Sequence, residues 1–191
     1  MARIDANAKR IEAKVVYAGP PGAGKRTNLA KLEAEIPGAN WLRPGALHTE
    51  EVDPRFLIVS LGQMKGYTPA FLVRALPDDA ALREQWLLSE DGLPPDAIVF
   101  VADSDPAKAA ANQAAFAELT ALLVKAKLPA AEIAWAFQWN KRDLAGATPV
   151  ASLAALNAGS HPAFEAVATN GVSVKETFLA VAKKVLTDLR K

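Results

Sequence analysis

The sequence predicts an α/β fold: a mostly parallel six-stranded sheet with one antiparallel edge strand and helices on both faces. Three observations carry it. Short apolar runs alternate with longer segments of helical periodicity, the order that parallel β-α-β crossovers require. Residues 97–103 are apolar almost throughout, as a strand covered on both faces of a parallel sheet is, and residues 133–139 make the next strand. Residues 56–61 and 70–76 are strand-like and separated by Gly62 to Pro69, short enough for a hairpin and hence for the antiparallel edge.

Taken in order, Ile11, Ala13 and Val15-Val16-Tyr17-Ala18 form the first strand, which runs into a glycine-rich loop. Leu29, Leu32 and Ile36 then recur at helical spacing until Pro37-Gly38. The stretch to residue 54, with Pro44, Gly45 and Pro54, reads as a surface loop. After the hairpin, residues 79–89 are helical. The strand 97–103 precedes an alanine-rich helix over 106–127, on which Phe116, Leu119, Leu122 and Leu123 make one stripe. The strand 133–139 is followed by a short helix over 149–156 and a last short strand over 164–168. Val174, Phe178, Val181, Ala182, Val185 and Leu189 mark an amphipathic terminal helix. Residues 1–191 are read as one domain, a size that a single core can support.

Composition narrows the function. Lys+Arg 22 against Asp+Glu 21 gives a net charge of +1, so no basic field for nucleic acid is expected. With no cysteine, disulfides, thiolate chemistry, prenylation and palmitoylation are excluded. Residue 2 is Ala rather than the Gly of myristoylation, and neither a signal region nor a membrane-length apolar run occurs. A cytoplasmic protein with no direct membrane anchor is expected.

Gly19-Pro-Pro-Gly22-Ala-Gly24-Lys25 follows a strand and opens a helix. In that setting glycines let backbone N–H groups converge on phosphates, the helix N-terminus adds its positive end, and Lys25 adds a point charge. The residue after the lysine is ordinarily Ser or Thr, whose hydroxyl ligates Mg²⁺. Here it is Arg26, with Thr27 next. One residue turns a helix by roughly 100°, so Thr27 cannot simply take over that ligand position. Arg26 either points to solvent or folds toward the phosphates in place of the metal.

Asn140-Lys141-Arg142-Asp143 directly follows the strand 133–139, about 115 residues after Lys25. At the C-terminal end of a late strand this sequence is specific for guanine. An aspartate carboxylate accepts both N–H groups on one edge of guanine, which adenine does not offer. The lysine stem lies over the base, and Asn140 ties this loop to the phosphate loop.

With both loops in place, the chain resembles the MglA-like family of bacterial Ras-like GTPases of cell polarity and gliding motility. The resemblance is carried over nearly the whole length. It includes residues 13–20, Gly24-Lys25 with Thr27-Asn28-Leu29, Ser60-Leu-Gly with Lys65-Gly66-Tyr67, and Ile98 to Ser104. Further on come Gln138 to Leu144, Glu165 to Val172 and Leu179 to Leu189. It implies a Ras-like P-loop NTPase fold, GDP/GTP as ligand, and Ala168, Thr169 and Asn170 in the loop closing over guanine. It also implies a switch that binds protein effectors, with a roadblock-fold, MglB-like partner stimulating hydrolysis.

The departures from the family bear on catalysis. The strand 70–76 should lead into Pro-Gly-Gln, whose glycine N–H contacts the γ-phosphate and whose glutamine orients the attacking water. Here the segment is Pro77-Asp78-Asp79. Two unit charges ~4 Å apart at an effective dielectric of about 20 repel by about 4 kcal/mol, so Asp78 favours a diphosphate over a triphosphate. Ala75 stands where Ras-like proteins generally keep a magnesium-positioning Asp and this family has Thr. The first switch departs as well: the family's Arg-Thr pair aligns poorly there, where the region reads His48-Thr49-Glu50-Glu51 and Thr49 is the available switch threonine. Weak or absent intrinsic hydrolysis follows, with no intact catalytic residue. Thr27 and Asp78 are left as candidate Mg²⁺ donors, and Asp79 as a carboxylate beside them.

Other readings stay open. One is a nucleotide-free pseudo-GTPase scaffold. Another is a nucleoside-monophosphate kinase, whose phosphate loop also lacks the Ser/Thr after lysine; the base loop and the absence of an arginine-rich lid speak against it. His48 and His161, without metal-ligand spacing, read as surface residues. Trp135 and Trp139 read as packing, and Arg83, Glu84 and Trp86 as either a partner surface or a solvated face.

Overall fold

The computed structural model describes residues 2–42, 56–88 and 94–189. His48, Thr49, Glu50 and Glu51 lie outside them.

The elements are β1 (Arg3–Asp5), β2 (Arg10–Ala18), α1 (Lys25–Glu35), β3 (Asn40–Leu42), β4 (Phe56–Ser60), β5 (Thr68–Ala75) and α2 (Ala80–Leu88). After these come β6 (Ala97–Asp103), α3 (Ala109–Lys125), β7 (Ala134–Asn140), α4 (Val150–Ala154), β8 (Ala163–Glu165) and α5 (Val174–Asp188). All the strands join one sheet in the order β3-β4-β5-β2-β6-β7-β8, with β1 also paired to β2. β2 pairs in parallel with β5 and β6, and β7 adds parallel to β6 and β8 to β7. β4 lies antiparallel on β5, so the expected hairpin is present, but the sheet's edge is β3, which adds antiparallel outside β4.

The six expected strands are joined by two short ones. β1 and β3 are antiparallel additions of three residues each, Arg-Ile-Asp and Asn-Trp-Leu. Neither carries a hydrophobic alternation long enough to announce itself. The last strand closes at Glu165 rather than 168, because the Ala168 N–H is taken by the Asn140 side chain at 2.9 Å and the chain turns there.

The β6 run is continuous because alternate residues serve two cores. Val99 and Val101 join Val15, Tyr17, Phe71, Leu32 and Phe178 on the α1/α5 face. Ile98, Phe100 and Ala102 join Val16, Leu119, Leu123 and Phe137 on the α2/α3 face. On that second face Phe100, Phe116, Trp135, Phe137 and Trp139 form a contiguous aromatic cluster, so both tryptophans pack as expected. His161 is not a free surface side chain. It stacks on Trp135 and Phe137, and partial burial lowers its pKa.

The helix after the altered switch turns inward. Trp86 is buried, and the Arg74 guanidinium lies 5.0 Å from its ring and 4.9 Å from that of Phe56. Arg83 pairs with Glu118 at 2.5 Å and Glu84 with Lys125 at 2.5 Å, so α2 is tied to α3. The partner-surface and solvated-face readings of Trp86 both give way to a structural one. Trp86→Ala is expected to cost ~3–5 kcal/mol of folding free energy, as for large-to-small core changes. Urea unfolding checks this, and a loss under ~1 kcal/mol would match a surface residue instead.

Candidate functional site

Strands β2, β6 and β7 end together at one edge of the sheet, and the loops leaving them build the site, as expected of open parallel α/β sheets. Two of the phosphate-loop glycines are sterically required. Gly19 has φ 140°, and a Cβ there would lie 2.1 Å from the Val101 carbonyl oxygen. Gly24 has φ 97°, and its Cβ would meet the Asn140 Nδ2 at 2.3 Å. Gly24 also precedes α1, whose first turn has no side-chain cap and no acidic residue. The N–H groups of that turn have no side-chain acceptor, an arrangement that suits an anion.

Lys25 is 6% exposed, and its Nζ donates to the Gly19 and Pro20 carbonyls, each at 2.9 Å. Its third hydrogen bond goes to Asp78 Oδ1, also at 2.9 Å. Burial pushes the Lys25 pKa down, and the Asp78 carboxylate opposes that push. The Asp78 side chain is 55% exposed, so the pair is open to water on one side. Gly22, Gly24, Lys25, Arg26, Thr27, Leu76 and Asp78 line a cavity of about 280 Å³.

Arg26 is exposed on the border of this cavity and its guanidinium has no partner among the described residues. Thr27 is half-buried on the same wall. Asp79 faces the other way: its Oδ1 accepts from the Leu82 N–H at 3.0 Å and its carbonyl from the Arg83 N–H at 2.9 Å, so it caps α2. Ala75 ends β5 opposite Tyr17 and offers no oxygen side chain. Among the described residues no group of three or more His, Cys, Asp or Glu converges on one point. Among the described residues Asp78 is held by lysine and Asp79 by backbone, so neither of these carboxylates stands free to ligate Mg²⁺.

The base-reading loop is joined to the phosphate loop through Asn140, which is 2% exposed. Its Nδ2 donates to the Ala23 carbonyl at 2.8 Å, and its Oδ1 accepts from Ala168 N at 2.9 Å. One side chain therefore bridges Gly24's neighbourhood, the loop 140–143 and the loop 168–170. Arg142 anchors the same loop, with Nε to Glu165 at 2.9 Å, a guanidinium nitrogen to the Thr148 carbonyl at 2.6 Å, and its N–H to Ala166 O at 3.1 Å. Asp143 is exposed, with no partner among the described residues, which leaves its carboxylate available. Lys141 has φ 65°, and its Nζ donates to Asp103 Oδ2 at 2.7 Å. Thr169 and Asn170 are exposed beside buried Ala168.

Gly19, Gly22, Gly24, Lys25, Arg26 and Thr27 thus meet in one loop and helix start, with Asp78 against it. Asn140, the first residue of the loop that carries Lys141 and Asp143, accepts from the Ala168 N–H. Asp78, expected near a phosphate, grips Lys25, and Asp103, which no motif singles out, reaches the base loop through Lys141. Gly24→Ala is expected to weaken nucleotide binding by at least ~10-fold and to lower stability by ~1–3 kcal/mol. It forces both a left-handed alanine and a clash with Asn140. Melting temperature and titration together check this, and unchanged values in both would contradict it.

No protein-family model matches the chain. The chain is 34% identical, over 195 residues, to the mutual gliding-motility protein MglA of Myxococcus xanthus, a match that spans 100% of this chain and 99% of that protein.

Proposed function

The chain belongs to the MglA-like small GTPases of the Ras superfamily, and on that premise we propose that it is a guanine-nucleotide-binding switch or interaction module of bacterial polarity or gliding motility that holds GDP in preference to GTP and hydrolyses GTP poorly. It acts as one domain over residues 1–191, in the cytoplasm, through protein partners. A roadblock-fold, MglB-like regulator is the first partner to test. Among the described residues no helix is long and apolar enough to cross a membrane.

The observation that carries this reading is the ion pair of Lys25 with Asp78. Phosphates enter along the uncapped start of α1, where Gly22, Gly24 and Lys25 offer N–H groups and charge. Guanine is read by Asp143, which accepts its two N–H groups, with Lys141 over the ring and the 168–170 loop closing from the far side. A γ-phosphate has to take Lys25 from a carboxylate and then lie beside it, which opposes the triphosphate. Asp79 stands where the family keeps its water-orienting glutamine, and its carboxylate is committed to capping α2. Arg26, in place of the hydroxyl that ligates Mg²⁺, is the charge available for the outer phosphates.

Isothermal titration with GDP, using ADP as the control, tests the reading. GDP should bind at least ~100-fold tighter than ADP, because a buried polar site rejects the wrong base edge. Equal binding of the two, or no binding of GDP, would sink it. Single-turnover phosphate release from GTP should stay near the buffer rate without a partner. The same Lys25–Asp78 pair also satisfies the lysine without any nucleotide, which supports a second reading as a nucleotide-free scaffold. A melting temperature that excess GDP fails to raise would favour that reading, since a ligand of the native state stabilises by mass action.

A further inference from the structure

We propose that Asp103 is a positioning residue for base recognition: it holds the Lys141 ammonium so that the lysine stem is laid across the place of the base. This rests on the guanine reading above and adds a residue to it.

Asp103 is the last residue of β6 and is fully buried. A buried carboxylate without a cation is strongly unfavourable, so its partner matters. That partner is Lys141 Nζ, 2.7 Å from Oδ2, while Oδ1 accepts from the Asp105 N–H at 3.0 Å. The carboxylate cannot drift, because its backbone is clamped on both sides by Asn112, itself buried. The Asp103 N–H donates to Asn112 Oδ1 at 2.9 Å, and Asn112 Nδ2 donates to the Asp103 carbonyl at 2.8 Å. The sheet register sets Asp103 opposite Asn140, so the anchor stands next to the loop it controls.

Lys141 itself is in a left-handed conformation at φ 65° and 37% exposed. With its head group fixed at a buried point, the methylene stem has to span the loop rather than extend into water, and it offers an apolar surface to one face of a purine. Released from Asp103, the same side chain would sample many rotamers and would have to be ordered by the ligand.

A merely structural carboxylate would be neutralised by Lys141 without aiding the base. A double-mutant cycle separates the two roles. On the full chain, GDP and guanosine affinities are measured for Asp103→Asn, Lys141→Met and the double variant. Asp103→Asn should weaken both ligands by about tenfold with Lys141 present and by less than about twofold with Met at 141. Equal loss in both backgrounds overturns the proposal, as does unchanged binding by Asp103→Asn. If Asn at 103 does not fold, Asp103→Glu keeps the charge but moves the ammonium. It should weaken binding with Lys141 present and not with Met, and any other pattern overturns the proposal. Failure of the unaltered chain to bind GDP overturns the guanine reading and this assignment together, whereas normal GDP binding without coupling overturns this assignment alone.

Discussion

Replacing Asp78 by glycine is expected to strengthen GTP binding by about 10- to 100-fold, with GDP affinity changed by less than about threefold. The unscreened repulsion of a carboxylate beside a γ-phosphate is about 4 kcal/mol, close to a thousandfold. The half-exposed setting of Asp78 reduces it. The change also releases Lys25 from its carboxylate partner, leaving two carbonyls and a free proton for phosphate oxygens. Asp78→Asn separates charge from shape: it should recover most of the gain without restoring glycine's backbone freedom. Competitive displacement of a fluorescent guanine nucleotide by GDP and GTP reads the ratio. If GTP binds the Gly and Asn variants no better than the unaltered chain, Asp78 does not set the phosphate preference.

The second large effect is at the other end of the site. Asp143→Ala should lower GDP affinity by about 10²- to 10⁴-fold, because it removes two charge-assisted hydrogen bonds worth ~1.5–3 kcal/mol each. Stability should hold within about 0.5 kcal/mol, since Asp143 is exposed and has no partner among the described residues. Asp143→Asn should move the preference toward xanthosine diphosphate, whose C2 carbonyl oxygen can accept from the new amide N–H where guanine presents its amino donor. Titration with the three nucleotides and a thermal melt check both variants. A fall in stability matching the fall in affinity would make Asp143 structural.

These expectations trace back to what could be read from order alone. The phosphate loop and the base loop were legible because each is a contiguous stretch whose neighbours, a strand before and, for the phosphate loop, a helix after, fix its geometry. The central strands were legible because one buried strand facing two cores leaves an unbroken apolar run, as β6 does. Pairings between distant residues were not. Lys25 and Asp78 are 53 positions apart, and Lys141 and Asp103 are 38 apart, so charge identity gave no sign of partnership. Trp86 misled for a related reason: a tryptophan among Arg83, Glu84 and Gln85 looks like a surface anchor until Arg74 is seen lying over its ring. As carboxylates for Mg²⁺, Asp78 and Asp79 look alike in the sequence, yet one residue apart they serve a lysine and a helix cap.

The central claim is that base and α/β-phosphate recognition are kept while the metal and γ-phosphate end has been rewritten. Titration of GDP and GTP, each in excess Mg²⁺ and again in excess EDTA, tests it most directly. The expected result is GDP binding at least about tenfold tighter than GTP, with the GDP affinity changed by less than about threefold when Mg²⁺ is removed. GTP binding as tightly as GDP in Mg²⁺, with both lost in EDTA, would contradict it.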